Sequence, residues 1–279
     1  MNGRLVDPVD ATVSFDDHGI TVGDGAFETI RLRDGAPFAM TRHLARLERS
    51  LATMGLPPVD LDVVAGAVTE VGFAAGGDGY VRVTVTGGRA PLGSPRGDSP
   101  PTLIVAFRPG AMRLDPADVA LAPYTRNEHG ALAGVKSTSY AENVMALAQA
   151  AAAGAEESIF ANTAGNLCEG TGSNVFLEVD GRLVTPPLAA GCLAGVTRAL
   201  VLELVAALAS IDIAELDVPI DALRTTSEAF LVSTGREVQP IRAVDGVALA
   251  SCPGPLTSAA RSSWVAAYGP SCSADRLDP

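Results

Sequence analysis

The stretch ALAGVKSTSYAENVMA, residues 131–146, holds Lys136, the one lysine among the chain's 20 Lys and Arg residues. A coding bias toward arginine explains the lysines that are missing but not the one that is kept. Lysine can do something arginine cannot. Its amine loses a proton when desolvated and then attacks a carbonyl, whereas a guanidinium stays charged.

Working toward the N-terminus, GAFETIRLRDGAPFAM (25–40) alternates as two short strands joined by an Arg-Asp-Gly turn. TRHLARLERSLATMGL (41–56) places Leu44, Leu47, Leu51 and Met54 at helical spacing, with Thr41 to cap the start and Gly55 to end it. A second helix is expected over 58–74. Strands follow over GYVRVTVTGG (79–88) and PTLIVAFRP (101–109), separated by the loop RAPLGSPRGDSP. The pattern loosens over 109–130 to a short strand and a polar connection. Toward the C-terminus, SYAENVMALAQAAAAGA (139–155) reads as a helix. ESIFANTAGNLCEG and SNVFLEVDGRLVTPP read as hairpins turning at Ala-Gly-Asn and Asp-Gly. A helix then runs through TRALVLELVAALA (197–209), and the last helix surrounds Trp264. The class is mixed α+β in two domains: 1–122, a connecting loop at 123–131, and 132–279.

The net charge of −12, with no basic stripe, argues against nucleic acid as a partner. No apolar run of about 18 residues suggests a membrane span. The N-terminus has no signal-peptide core. The four cysteines (Cys168, Cys192, Cys252, Cys272) form no CxxC pair, which argues against zinc and against a disulfide framework. A reduced, cytoplasmic protein is the expectation.

Several segments each admit two readings. Lys136 precedes a helix and follows an apolar run, so it is either a desolvated nucleophile or a solvated lysine at a helix start. Glu169 in LCEGTGSNVF is a turn carboxylate or one aimed at a ring nitrogen. The loop AAGCLAGVT leads into a strong helix, where Val196 and Thr197 can offer N–H groups and a hydroxyl to a phosphate, or simply cap it. His43 and Arg46 share one helix face, which is a phosphate clamp or an exposed basic surface. Ser233, Thr234, Gly235 and Arg236 follow a strand, as an anion site or as a turn. His18, His43 and His129 receive no catalytic role.

The order of these blocks resembles the fold type IV pyridoxal-phosphate enzymes, the class IV family of D-amino-acid transaminases, branched-chain aminotransferases and aminodeoxychorismate lyases. The resemblance runs from GDGAFETIRLRDG through HLARLERSLATMGL, GVKSTSYAENVMA, EGTGSNVFLEVDGRLVTPPL and LAGVTRALV to VSTGREVQPI. It implies a small α/β sandwich-like domain, a larger pseudo-barrel domain, pyridoxal 5′-phosphate as cofactor and a homodimer. It also assigns roles. Lys136 matches the Schiff-base lysine, Glu169 the acid at the pyridine nitrogen and Arg46 the phosphate arginine. Val196, Thr197 and Thr234 match phosphate contacts, and Tyr140 falls near the cofactor.

The resemblance leaves the reaction open. Transaminases of the D-amino-acid type often trap the substrate carboxylate with an Arg-x-His pair in the loop that here reads RAPLGSPRG, which has Arg89 and Arg96 but no histidine. They also often carry tyrosine where this chain has Phe27, a residue closer to the lyase and branched-chain members. Arg236 stands where relatives usually have a small residue and is the first candidate for the trap, with Arg31, Arg89 and Arg96 as rivals. A transaminase of D-amino acids is the favoured expectation. The lyase, the L-branched-chain enzyme and a cofactor-binding protein without turnover are the alternatives.

Overall fold

Alternation along GAFETIRLR builds the first long strand. The computed structural model describes residues 1–110, 115–208, 211–269 and 277–279. In it a short helix α1 (His18–Thr21) precedes β1 (Gly25–Arg33), which turns through Asp34 and Gly35 into β2 (Ala36–Pro37). Both turn residues have positive φ, 48° and 79°, as a type I′ hairpin requires. Helices α2 (Met40–Met54) and α3 (Leu61–Ala75) and strands β3 (Gly79–Thr86) and β4 (Thr102–Pro109) follow. The sheet is antiparallel with order β2-β1-β3-β4. One of its faces carries Ala26, Ile30, Leu32, Val81, Val83 and Val85, and these pack with Leu44, Leu47 and Leu51 of α2 and Val64 and Val68 of α3. Burying one such large aliphatic side chain contributes about 1.5–3 kcal/mol. Gly55 ends α2 in the left-handed conformation, as the sequence implies. The start differs. Ala39 is the boundary residue, and Thr41 lies inside the helix with its N–H and hydroxyl on the Asp278 carboxylate, at 2.9 and 2.5 Å.

The remaining elements build a second sheet. They are β5 (Ala117–Arg126), α4 (Ala141–Ala152), β6 (Glu157–Asn162), β7 (Leu167–Gly170), β8 (Asn174–Val179), β9 (Arg182–Thr185), α5 (Val196–Ala206), β10 (Ile213–Glu215), α6 (Ala222–Thr225), β11 (Ala229–Ser233), β12 (Glu237–Val244), β13 (Val247–Ala248) and α7 (Pro255–Tyr268). The order is β10-β9-β8-β11-β12-β5-β6-β7, with β13 on β12. The parallel pair β5–β6 needs a crossover, and α4 provides it. Register shifts interrupt the β12–β5, β5–β6 and β6–β7 ladders, and such irregularities bend a sheet. Asp180 and Gly181, both at positive φ, make the expected β8–β9 turn. Leu167, Val175, Leu177, Leu231 and Ile241 lie in the core of this unit.

The boundary between units is not where the sequence suggests. Described residues 1–110, 135–140 and 277–279 form one unit, and 115–134 with 141–269 form the other. The expected end at 122 falls inside β5, which pairs with β12 and β6 and so belongs to the second sheet. Residues 135–140 return to the first unit because Ser137 bridges Ala26 and the Lys136 carbonyl accepts the Phe27 N–H at 2.9 Å. Residues 111–114 of the loosened stretch, residue 209 of the expected helix and Cys272 lie outside the described residues. Among the described residues, no helix is long and apolar enough to cross a membrane.

Candidate active site

In the first unit, two glycines let the lysine segment approach β1. The Thr138 N–H bonds the Gly25 carbonyl at 2.7 Å, and the hydroxyls of Thr138 and Ser139 bond the Gly23 carbonyl at 2.8 and 3.0 Å. A Cβ on Gly23, which has φ +70°, would meet Ser139 Oγ at 2.6 Å. A Cβ on Gly25 would meet the Val85 carbonyl at 2.7 Å. The GDG of GDGAFET is therefore the seat of the Lys136 segment.

Lys136, Phe27 and Tyr140 come together on this seat. Lys136 Nζ lies 4.4 Å from the Phe27 ring centre and 5.9 Å from that of Tyr140, and the two rings meet edge to face at 5.3 Å. Arg82, which sequence reasoning passed over, stacks its guanidinium on the Phe27 ring at 3.6 Å. Burial pulls its proton affinity down, but a guanidinium keeps its charge. Its Nε bonds the Thr84 hydroxyl at 3.4 Å, and among the described residues no carboxylate is paired with it. Lys136 and Arg82 thus meet the same aromatic ring.

The opposite face of β1 holds Glu28, buried among the apolar residues that meet α2. Arg46 donates Nε to Oε1 and Nη2 to Oε2, at 2.7 and 2.8 Å, and His43 Nδ1 lies 2.7 Å from Oε2. Burial would raise the Glu28 carboxyl, but the charge and hydrogen bonds of Arg46, with His43, outweigh it and hold the group far below the usual range. Burial dominates at His43 and lowers its pKa, so this imidazole is neutral at pH 7.

The rival arginines of this unit are occupied. Arg31 bonds the Tyr80 hydroxyl at 3.0 Å and Asp78 at 3.2 Å. Arg89 forks onto Asp16 with Nε at 2.9 Å and Nη2 at 3.0 Å. Arg96 holds Asp24 at 2.7 and 2.6 Å and the carbonyls of Gly55 and Met54. His18 sits between Asp24 and the Gly93 carbonyl, each at 3.1 Å. Arg89, Arg96 and His18 therefore staple the RAPLGSPRG loop in place.

In the second unit, Glu169 projects from β7 opposite Phe160 on β6. Its Oε2 accepts the Leu193 N–H at 2.9 Å, and Arg126 Nε lies 3.6 Å from Oε1. Arg126 rests on the Phe160 ring at 4.3 Å and bonds Glu142 and Asn143. Glu157, also missed in the sequence, is buried and organises the turn after Glu169. It accepts the Thr171 N–H at 3.0 Å, the Thr171 hydroxyl and the Ser173 hydroxyl at 2.9 Å. Asn143 holds the Thr171 carbonyl at 2.7 Å from the other side.

The loop that holds Glu169 runs into α5. Asn174 Nδ2 bonds the Leu193 carbonyl at 2.9 Å, and a Cβ on Gly195 would meet Asn174 Oδ1 at 2.0 Å. Gly195, which has no side chain to cap with, is the N-cap, and Val196 and Thr197 are the helix's first two residues, both buried. Thr197 is thus not a cap. First-turn N–H groups have no partner inside their helix. Thr234 lies half-buried in the turn between β11 and β12. Arg236, in the same turn, donates to Gln239 at 2.5 Å and to Glu157 at 3.3 Å. The buried thiols offer no rival nucleophile: burial pushes Cys168 far up and Cys192 up to about 12.

The family model described as amino-transferase class IV matches residues 25–244. A putative branched-chain-amino-acid aminotransferase of Methanocaldococcus jannaschii is 33% identical over 88% of this chain and 87% of its own length. A D-alanine aminotransferase of Bacillus licheniformis is 31% identical over 92% of each chain. An aminodeoxychorismate lyase of Bacillus subtilis is 28% identical over 93% of this chain and 90% of its own. Among solved structures, the branched-chain amino acid aminotransferase of Thermobaculum terrenum in its PLP form superposes with a TM-score of 0.87 at 26% identity, over 99% of this chain and 94% of the other.

Proposed function

Because the chain belongs to the class IV aminotransferase family, we propose that it is a pyridoxal-phosphate transaminase that moves an amino group between an amino acid, D-amino acids favoured, and a 2-oxo acid. The observation that carries this reading is that Lys136 and Arg82 meet one ring, Phe27, an amine and a carboxylate receptor against the same side chain. The D-preference is supported by the similarity to the D-alanine aminotransferase.

The residues fit the cofactor. The uncapped first turn of α5, at Val196 and Thr197, suits a phosphate. Arg46 and Thr234 would add oriented N–H donors and a hydroxyl. Glu169, held in one orientation by the Leu193 N–H and Arg126, suits a protonated ring nitrogen. When bound, pyridoxal phosphate supplies an electron sink for charge developing on the substrate carbon. Lys136 would hold the group, and its amine would move a proton at the substrate Cα. Tyr140 and Phe27 wall the lysine and fix its approach. Arg82 takes the substrate carboxylate, since Arg31, Arg89, Arg96 and Arg236 are each held by acids in their own units. Arg82→Ala should raise KM for the amino acid roughly tenfold or more, and an unchanged KM would remove Arg82 from this role. A homodimer in solution belongs to the same proposal, to be read by sedimentation.

A lyase reading has one observation in its favour: Phe27, which resembles the residue of lyase and branched-chain members. Absorption of the cofactor-loaded protein separates the readings. Bleaching of the yellow chromophore by D-alanine alone, and not by L-alanine, supports the proposal. Repeated release of pyruvate together with 4-aminobenzoate from aminodeoxychorismate, with no 2-oxo acid added, supports the lyase. A protein that never turns yellow defeats both.

A further inference from the structure

Glu28 occupies an inward position on β1 between Ala26 and Ile30 and has no exposure to solvent. A carboxylate there is costly unless paired. Stability alone does not account for the pair, because buried ion pairs are often replaceable by apolar residues without loss. What two near-parallel bonds from Nε and Nη2 supply is orientation, since they clamp one edge of a planar guanidinium. His43 fixes the second carboxylate oxygen from the next turn of α2.

We infer that Glu28 is a positioning residue, which holds the Arg46 guanidinium in the plane where it receives the cofactor's phosphate. This rests on the reading of Arg46 as a phosphate ligand. With His43 neutral, the charges of Glu28 and Arg46 cancel. Arg46 therefore selects a phosphate by the direction of its N–H groups and not by surplus charge. A ligand without phosphate should be indifferent to Glu28.

The test titrates full-length apoprotein with pyridoxal phosphate and with pyridoxal, followed by visible absorption, in wild type, Glu28→Gln, Arg46→Lys and the double variant. Glu28→Gln should weaken pyridoxal phosphate on the order of tenfold or more and leave pyridoxal unchanged. The double variant should bind no more weakly than Arg46→Lys alone, because Glu28 acts through Arg46. Equal losses for both ligands would make Glu28 a structural residue and overturn the inference. So would an unchanged affinity for pyridoxal phosphate, or losses that multiply in the double variant. Should circular dichroism find Glu28→Gln unfolded, Glu28→Asp carries the test. It keeps the charge and shortens the reach, and a wild-type ratio of the two affinities would overturn the inference. A wild type that binds neither ligand overturns the cofactor reading itself, a result distinct from all of these.

Discussion

Helices α5 and α7 begin alike and are completed differently. Each has an extended glycine at its N-cap, Gly195 or Gly254, and each glycine is pressed by a side chain that a Cβ would strike. At α7 that side chain is Glu228, whose carboxylate turns into the first turn and accepts the N–H groups of Leu256 and Thr257 at 3.0 and 2.7 Å. At α5 it is Asn174, whose amide turns away to the Leu193 carbonyl. The fold thus supplies an internal anion where a helix start is purely structural. Among the described residues no carboxylate takes the corresponding place at α5, which is what the phosphate reading expects.

The comparison can be broken from either end. Glu228→Ala makes α7 resemble α5. It strands one buried and one part-buried N–H group and removes two charge-assisted bonds, so chemical denaturation should report a loss of about 3 kcal/mol. Cofactor affinity should be unchanged. Thr197→Asp makes α5 resemble α7. A carboxylate in the first turn favours the helix but repels a phosphate, so affinity for pyridoxal phosphate should fall by about 2 kcal/mol, roughly thirtyfold, while the apoprotein's melting temperature holds or rises. A loss of stability without loss of affinity would contradict the phosphate reading of α5.

Acid probes the buried carboxylate of the first sheet. Glu28 is held below the ordinary glutamate value of 4.5. A depressed carboxylate contributes stability that is complete above the unfolded value and lost as pH falls through the folded one. Wild type should therefore lose stability steadily below about pH 4.5, and Glu28→Gln should show a flatter curve over that range. The smallest effect belongs to α2, whose start is met by the exposed Asp278. Asp278→Asn should cost about 0.5 kcal/mol, measurable as a small shift in the denaturation midpoint.

Local chemistry made much of this legible. Asp34-Gly35 and Asp180-Gly181 name their own turns, and the apolar spacing of Leu44, Leu47 and Leu51 names the buried face of α2. Lys136 stood out because no other residue is lysine. What escaped depends on partners distant in the chain. Arg82 looks like any exposed strand residue until Phe27 lies beneath it. Glu157 resembles a strand-start carboxylate until Thr171 and Ser173 return to it. Glu28 did leave a signal, a charge on the apolar side of Ala26, Ile30 and Leu32, and HLAR in α2 offered its two partners at one helical spacing. Thr41 was mistaken for a cap because the carboxylate at the start of α2 comes from Asp278. The misplaced boundary has the same origin, since nothing local to residues 135–140 announces that they rejoin the first unit.

That return has a consequence for how the chain is made. Thr138 meets Gly23 and Gly25 through hydrogen bonds that close 115 and 113 residues of chain. Non-local closures of this kind come late, because the intervening loop must give up its entropy before the pairing repays it. The glycine seat emerges from the ribosome early and waits, through the synthesis of β3, β4 and β5, for the segment that will sit on it. Truncation after residue 134 should therefore yield a first unit with its sheet formed and its lysine absent.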